Sequence, residues 1–187
     1  VVEIVVIEGP DGAGKSVLAE WICVEFGLKL GERSNDRDHL YQTTREDTWR
    51  AVHEELTCLE RPRVWDRLGP YSDPIYASFD IPYPRLCAFT PLELDVFEAV
   101  MEHVGLVIFC LPPERVSLEN VRDGHQLEGV VENHRHIQRA YEARVKMHYL
   151  RYNYTKVNAL DHVADRVEVH LERRKAREAR AAHIGHL

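Results

Sequence analysis

Gly9-Pro10-Asp11-Gly12-Ala13-Gly14-Lys15-Ser16 satisfies the spacing G-x-x-x-x-G-K-[ST]. Those residue types in that order bind polyphosphate. Glycines let successive backbone N–H groups turn inward around phosphate oxygens. The helix expected to follow adds its positive N-terminal end. The Lys15 ammonium can reach the β- and γ-phosphates, and the Ser16 hydroxyl can sit on Mg²⁺. The nucleotide contacts expected are Gly9, Asp11, Gly12, Ala13, Gly14, Lys15, Ser16 and Val17. The loop specifies a nucleoside triphosphate but not the fate of its phosphate.

A second group follows the short apolar strand 63–65. Asp66, at the strand end, can hold the Mg²⁺ shell or orient an acceptor hydroxyl. Arg67 offers a planar fork matched to phosphate oxygens. Tyr71, Ser72, Asp73 and Tyr76 add hydroxyls and a carboxylate close by, which either line an acceptor pocket or cap a helix. A third group is the polar stretch 122–129, with two glycines and Arg122. It reads as a lid whose arginine meets the charge that develops during phosphoryl transfer, or as a plain connector. Arg115 falls where a helix can face solvent.

The elements that must position these groups alternate strand and helix. Residues 1–7 are apolar and β-branched, as a buried parallel strand is. Residues 17–26 place Val17, Leu18, Trp21, Ile22 and Phe26 at helical spacing. The pattern continues with a short strand at 28–30, a helix over 44–59 and the strand at 63–65. A helix over 71–79 precedes a proline-punctuated loop. Thr90 caps a helix over 91–103, with Pro91 at its first position and Glu93 three residues after the cap. A buried strand at 106–111 leads to helices over 113–121 and 131–151. A last strand at 154–158 and a terminal helix from 161 to about 182 complete the reading. The fold class is α/β: a three-layer sandwich with a mostly parallel five-stranded sheet, helices on both faces and a short lid at about 115–130. All 187 residues read as one domain, with a C-terminal helix and tail at about 161–187.

Composition narrows the partners. The formal net charge of −7 argues against broad electrostatic binding to duplex nucleic acid, though a small basic site stays open. The charges of Arg173, Arg174, Lys175, Arg177 and Arg180 alternate with Glu172 and Glu178, as on a solvated helix face. No apolar run approaches the roughly 18 residues that span a bilayer as a helix. Glu3 interrupts the first strand, which runs straight into the loop, so no signal peptide is read. The four cysteines, Cys23, Cys58, Cys87 and Cys110, form no C-x-x-C pair, and Cys23 and Cys110, inside apolar patterns, are read as reduced core residues. A cytoplasmic location is expected. His134 and His136 lie two apart on a helix and face different ways, so no metal site is expected beyond the Mg²⁺ carried with the nucleotide.

Residues 7–16, Ile7-Glu8 through Ser16, resemble the loop of the thymidylate kinase and deoxynucleoside kinase group. Asp66-Arg67 resembles the thymidylate kinase Asp-Arg motif, although Leu68 stands where an aromatic residue or histidine is usual. Tyr71-Ser72-Asp73 and Tyr76-Ala77-Ser78 resemble deoxynucleoside kinases more, yet their Glu-Arg-Ser motif is absent. Arg122 through Glu142 resembles the lid and following helix of both groups. The resemblance implies that Lys15 and Ser16 hold ATP with Mg²⁺, that Asp11 faces the acceptor sugar and that Arg67 binds the acceptor phosphate. Arg122 would serve from the lid, because Gly12 stands where some members carry a loop arginine. It also implies that Glu8, as in nucleoside kinases, would be the base for a 5′-hydroxyl. Trp49, Tyr41, Phe79 and Tyr83 are candidates to stack on the acceptor base. Members of the group commonly dimerise through helices, so a homodimer is an expectation.

A monophosphate acceptor needs cations more than a base, because its oxygen is already anionic. Asp11 and Arg67 therefore favour ATP-dependent phosphorylation of a deoxynucleoside monophosphate. Glu8 keeps open a deoxynucleoside kinase, or a kinase for a hydroxyl on a modified nucleotide or DNA base. A GTP-dependent switch is a weaker reading. Residues 66–69 fit D-x-x-G and 155–158 echo N-K-x-D, but Asn158 cannot accept two guanine N–H bonds as a carboxylate does.

Overall fold

In a computed structural model, residues 4–31, 63–79, 81, 89–122 and 129–184 are described. The expected helix over 44–59, with Trp49, and Tyr41 and Tyr83 lie outside them, as do Cys58, Cys87 and residues 123–128. Five strands, β1 (Ile4–Glu8), β2 (Lys29–Leu30), β3 (Arg63–Asp66), β4 (Gly105–Cys110) and β5 (Leu150–Tyr152), form one sheet in the order β2-β3-β1-β4-β5. Every pairing is parallel. The helices among the described residues are α1 (Lys15–Phe26), α2 (Gly69–Ala77), α3 (Pro91–Val104), α4 (Glu114–Arg122), α5 (Val130–Arg144) and α6 (Ala159–Ile184). None is long and apolar enough to cross a membrane.

Side-chain alternation along the strands divides the interior into two cores. Val5, Ile7, Val64, Ile108 and Cys110 pack against Leu18, Ala19 and Ile22 of α1 and Val163 and Val167 of α6. Ile4, Val6, Trp65, Val107 and Phe109 face the other way, onto α2, α3 and α5. The central strands are buried on both faces, which is why they read as unbroken apolar runs. Thr90 and Glu93 form the expected capping box at the start of α3.

The sheet register places the chemistry. Ile7 of β1 sits opposite Asp66 of β3, so the loops leaving the two strands emerge side by side at the carboxyl edge. The Arg67 N–H bonds to the Ile7 carbonyl at 2.9 Å and carries the ladder one residue further.

Two elements differ from the sequence reading. The helix expected over 131–151 ends at Arg144, and the last strand is Leu150–Tyr152 rather than 154–158. Tyr141, Val145 and His148 keep a helical spacing past the true end, where Val145 turns extended. The three-residue strand alternates buried, exposed, buried, which is too short a run to show a period in sequence. Residues 154–158 instead turn from β5 into α6.

Candidate active site

The phosphate loop takes its shape from three positive-φ glycines: Gly9 at 142°, Gly12 at 72° and Gly14 at 78°. A Cβ on Gly12 would lie 2.2 Å from the Ser117 carbonyl of α4. This packing explains why no larger residue stands at position 12. Gly12→Ala therefore combines strain of about 1–3 kcal/mol with a backbone clash. Thermal unfolding should show a melting temperature lower by at least about 5 °C.

Lys15 is 7% exposed, and its Nζ donates to the Pro10 carbonyl at 2.6 Å. Burial, and then the neighbouring Arg67 charge, pull its ammonium down to about 8. Ser16 Oγ donates to Asp66 Oδ2 at 2.6 Å. A hydroxyl and a carboxylate so joined form an all-oxygen donor pair, which fits Mg²⁺. Val17, at 73% exposed, begins the outer face of α1.

Arg67 carries the second cluster. Its φ is 76°, a left-handed conformation uncommon outside glycine, and strain of this kind concentrates at functional sites. The Arg67 Nη2 donates to Asp11 Oδ1 and to the Tyr76 hydroxyl at 3.0 Å. Tyr76 in turn donates to Asp11 Oδ2 at 2.7 Å. The guanidinium also lies 5.1 Å from the centre of the Tyr76 ring. Burial pushes the Asp11 carboxyl up, but Arg67 and Lys15, with the bonds from Tyr76 and Arg67, outweigh it. The net result lies below the usual carboxylate value.

Glu8 sits behind this cluster. It is fully buried, and its Oε1 accepts from the Leu68 N–H at 2.6 Å, one residue past the left-handed turn. Its Oε2 is buried and has no hydrogen-bond partner among the described residues. Burial raises its carboxyl to about 8, so it holds a proton at neutral pH. Here Glu8 braces the Arg67 turn.

The remaining candidates are placed as follows. Tyr71 joins the core, 1% exposed, with its hydroxyl 3.3 Å from that of Tyr149, rather than the Asp11–Arg67 cluster. Phe79 is half-buried, with its ring 6.1 Å from His136. Arg122 ends α4 exposed, and Arg115 pairs with Glu119 along the same helix at 3.6 Å. Cys23 and Cys110 are free thiols.

Three residues that sequence reasoning did not select touch the loop. Asn120 Nδ2 donates to the Gly12 carbonyl and to the Tyr154 hydroxyl, both at 2.9 Å. The Tyr154 ring lies 3.2 Å from where a Gly14 Cβ would be. His134 Nε2 is 3.3 Å from the Asp11 carbonyl. No motif marks them, because the contacts span more than 30 residues of chain. Beyond β5 lies a cleft of about 370 Å³, whose lining includes Arg151, Asn153, Lys156, Asn158 and His162.

No protein-family model matches the chain, and no curated protein does. Solved structures do. YorR from Bacillus subtilis, in complex with phosphorylated GDP, superposes with a TM-score of 0.64 at 18% identity, over 90% of this chain and 95% of that one. Deoxyadenosine kinase from M. mycoides with bound dATP gives 0.58 at 13% identity, over 89% and 99%. Thymidylate kinase from Candida albicans gives 0.54 at 15% identity, over 93% and 92%. The fold is that of the P-loop kinases.

Proposed function

We propose that the protein transfers the terminal phosphoryl group of ATP, with Mg²⁺, to a deoxynucleoside monophosphate. An acceptor phosphate oxygen attacks the γ-phosphorus, the bond from that phosphorus to the β–γ bridging oxygen breaks, and ADP leaves. Lys15 and the loop N–H groups bind the polyphosphate. Ser16 and Asp66 would hold the magnesium ion, which supplies charge neutralisation on the phosphates when bound. Arg67, aligned by Asp11 and Tyr76, would receive the acceptor phosphate, and Arg122 would add charge from the end of α4.

The observation that carries this reading is the pairing of a part-buried Arg67, held beside Asp11 and Tyr76, with a fully withdrawn Glu8. A nucleoside hydroxyl needs a base within reach. Glu8 is fully buried, protonated up to about pH 8 and bound to the Leu68 N–H.

Glu8→Gln separates the acceptors. The amide oxygen still accepts from Leu68, so monophosphate turnover should stay within about threefold of wild type. Glu8→Ala strands the buried N–H and should cost about tenfold or more. A base at Glu8 requires instead that Gln and Ala abolish turnover alike. The same variant alters pH-dependent stability. Folded Glu8 keeps its proton up to about 8, whereas the unfolded group loses it near 4.5, so stability from this group falls as pH rises between those values. The melting temperature of Glu8→Gln should decline less across that window than that of wild type.

A further inference from the structure

We infer that His134 and Asn120 are positioning residues for the triphosphate, acting through the backbone of the phosphate loop. Three successive loop carbonyls are tied down by side chains. Pro10 O accepts from Lys15 Nζ at 2.6 Å, Asp11 O faces His134 Nε2 at 3.3 Å, and Gly12 O accepts from Asn120 Nδ2 at 2.9 Å. In a trans peptide the carbonyl of one residue and the N–H of the next point in opposite directions. Fixing Asp11 O therefore aims the Gly12 N–H, a donor that a loop of this spacing turns onto phosphate oxygens. Fixing Gly12 O orients the Ala13 N–H, which here donates to the Pro10 carbonyl at 3.4 Å and closes the turn around the Gly12 N–H.

The two helices that supply the ties are themselves joined. Ser117 Oγ of α4 donates to Gln138 Oε1 of α5 at 3.4 Å, and Arg135 of α5 lies 3.7 Å from Glu114 of α4. The α4 backbone also seats directly on Gly12. His134 is 1% exposed. A carbonyl only accepts, so the contact with Asp11 needs the proton on Nε2. That tautomer leaves Nδ1 as a lone acceptor, and Nδ1 is buried with no partner among the described residues. A buried polar atom of this kind costs stability. His134 is therefore held at a cost that orienting the loop accounts for.

The inference rests on triphosphate binding at this loop and not on the identity of the acceptor. The test is calorimetric titration with β,γ-imido-ATP and, separately, with AMP, in the presence of Mg²⁺. His134→Leu and Asn120→Asp should weaken the triphosphate analogue by about five- to twentyfold while moving AMP by less than about twofold. His134→Gln, which restores an N–H donor, should stay within about threefold for both. His134→Leu should melt no lower than wild type, because it also removes the stranded Nδ1. Variants that bind the analogue as wild type does would overturn the inference and leave the kinase reading standing. Equal losses for the analogue and AMP, with a lowered melting temperature, would reduce the two residues to structural ones and overturn it too. Failure of the wild-type protein to bind the analogue would overturn the kinase reading, and the inference with it.

Discussion

Lys15→Ala lowers kcat/KM for ATP by about 10²–10³-fold, the scale expected when one charged group aimed at a transferring phosphate is removed. The fold should survive, because the ammonium contributes one bond to the Pro10 carbonyl and costs desolvation where it sits. Circular dichroism and thermal unfolding check that point alongside steady-state kinetics. The wild-type pH profile carries a further expectation. The Lys15 ammonium is lowered to about 8 by burial and then by Arg67, so free enzyme loses the loop cation as pH rises through that value. A basic limb in kcat/KM for ATP follows, since that parameter reports groups in the free enzyme. Glu8 also titrates near 8, so the profile of Glu8→Gln assigns the limb. A limb that persists belongs to Lys15, and one that disappears belongs to Glu8.

Arg67→Gln has an effect of similar size on the other substrate. It should lower kcat/KM for the acceptor by about 10²–10³-fold, because it removes the guanidinium proposed to meet the acceptor phosphate and leaves part-buried Asp11 without its cation, held by the Tyr76 hydroxyl. KM for ATP should change by less than about threefold. Arg67→Lys should rescue little, since an ammonium is a point charge and lacks the planar fork that meets phosphate oxygens two at a time. Loss of the guanidinium also relieves Lys15 of a neighbouring positive charge, so the basic limb should move to higher pH in this variant. An unchanged acceptor KM and kcat in Arg67→Gln would remove Arg67 from the site.

The loop and its sheet were legible because the signals are local. Gly9, Gly14, Lys15 and Ser16 form one unbroken motif, and the strands beside it are buried on both faces and so uniformly apolar. Asp66 and Arg67 were legible as chemistry at a strand end, but their pairing with Ser16 and Asp11 depends on the β1–β3 register. Tyr71 and Tyr76 looked alike in sequence and both rings are buried, yet five residues, about 140° of helical phase, separate a hydroxyl that meets Tyr149 from one that reaches Asp11. Glu8 was read as a base from resemblance. Its position two residues after Val6, on the same face of β1, gives it full burial and a backbone partner in the Leu68 N–H. Asn120, His134 and Tyr154 left no trace, because two helices and the turn after β5 bring them to a loop more than 100 residues earlier.

The central claim is the identity of the acceptor. Purified protein incubated with ATP, Mg²⁺ and a panel of deoxynucleosides and their monophosphates, with products separated by chromatography, tests it most directly. The expected product is a diphosphate formed from one or more monophosphates while every nucleoside stays inert. Monophosphate formed from a nucleoside, with the nucleotides untouched, would contradict it and return Glu8 to the role of base, which Glu8→Gln would then check.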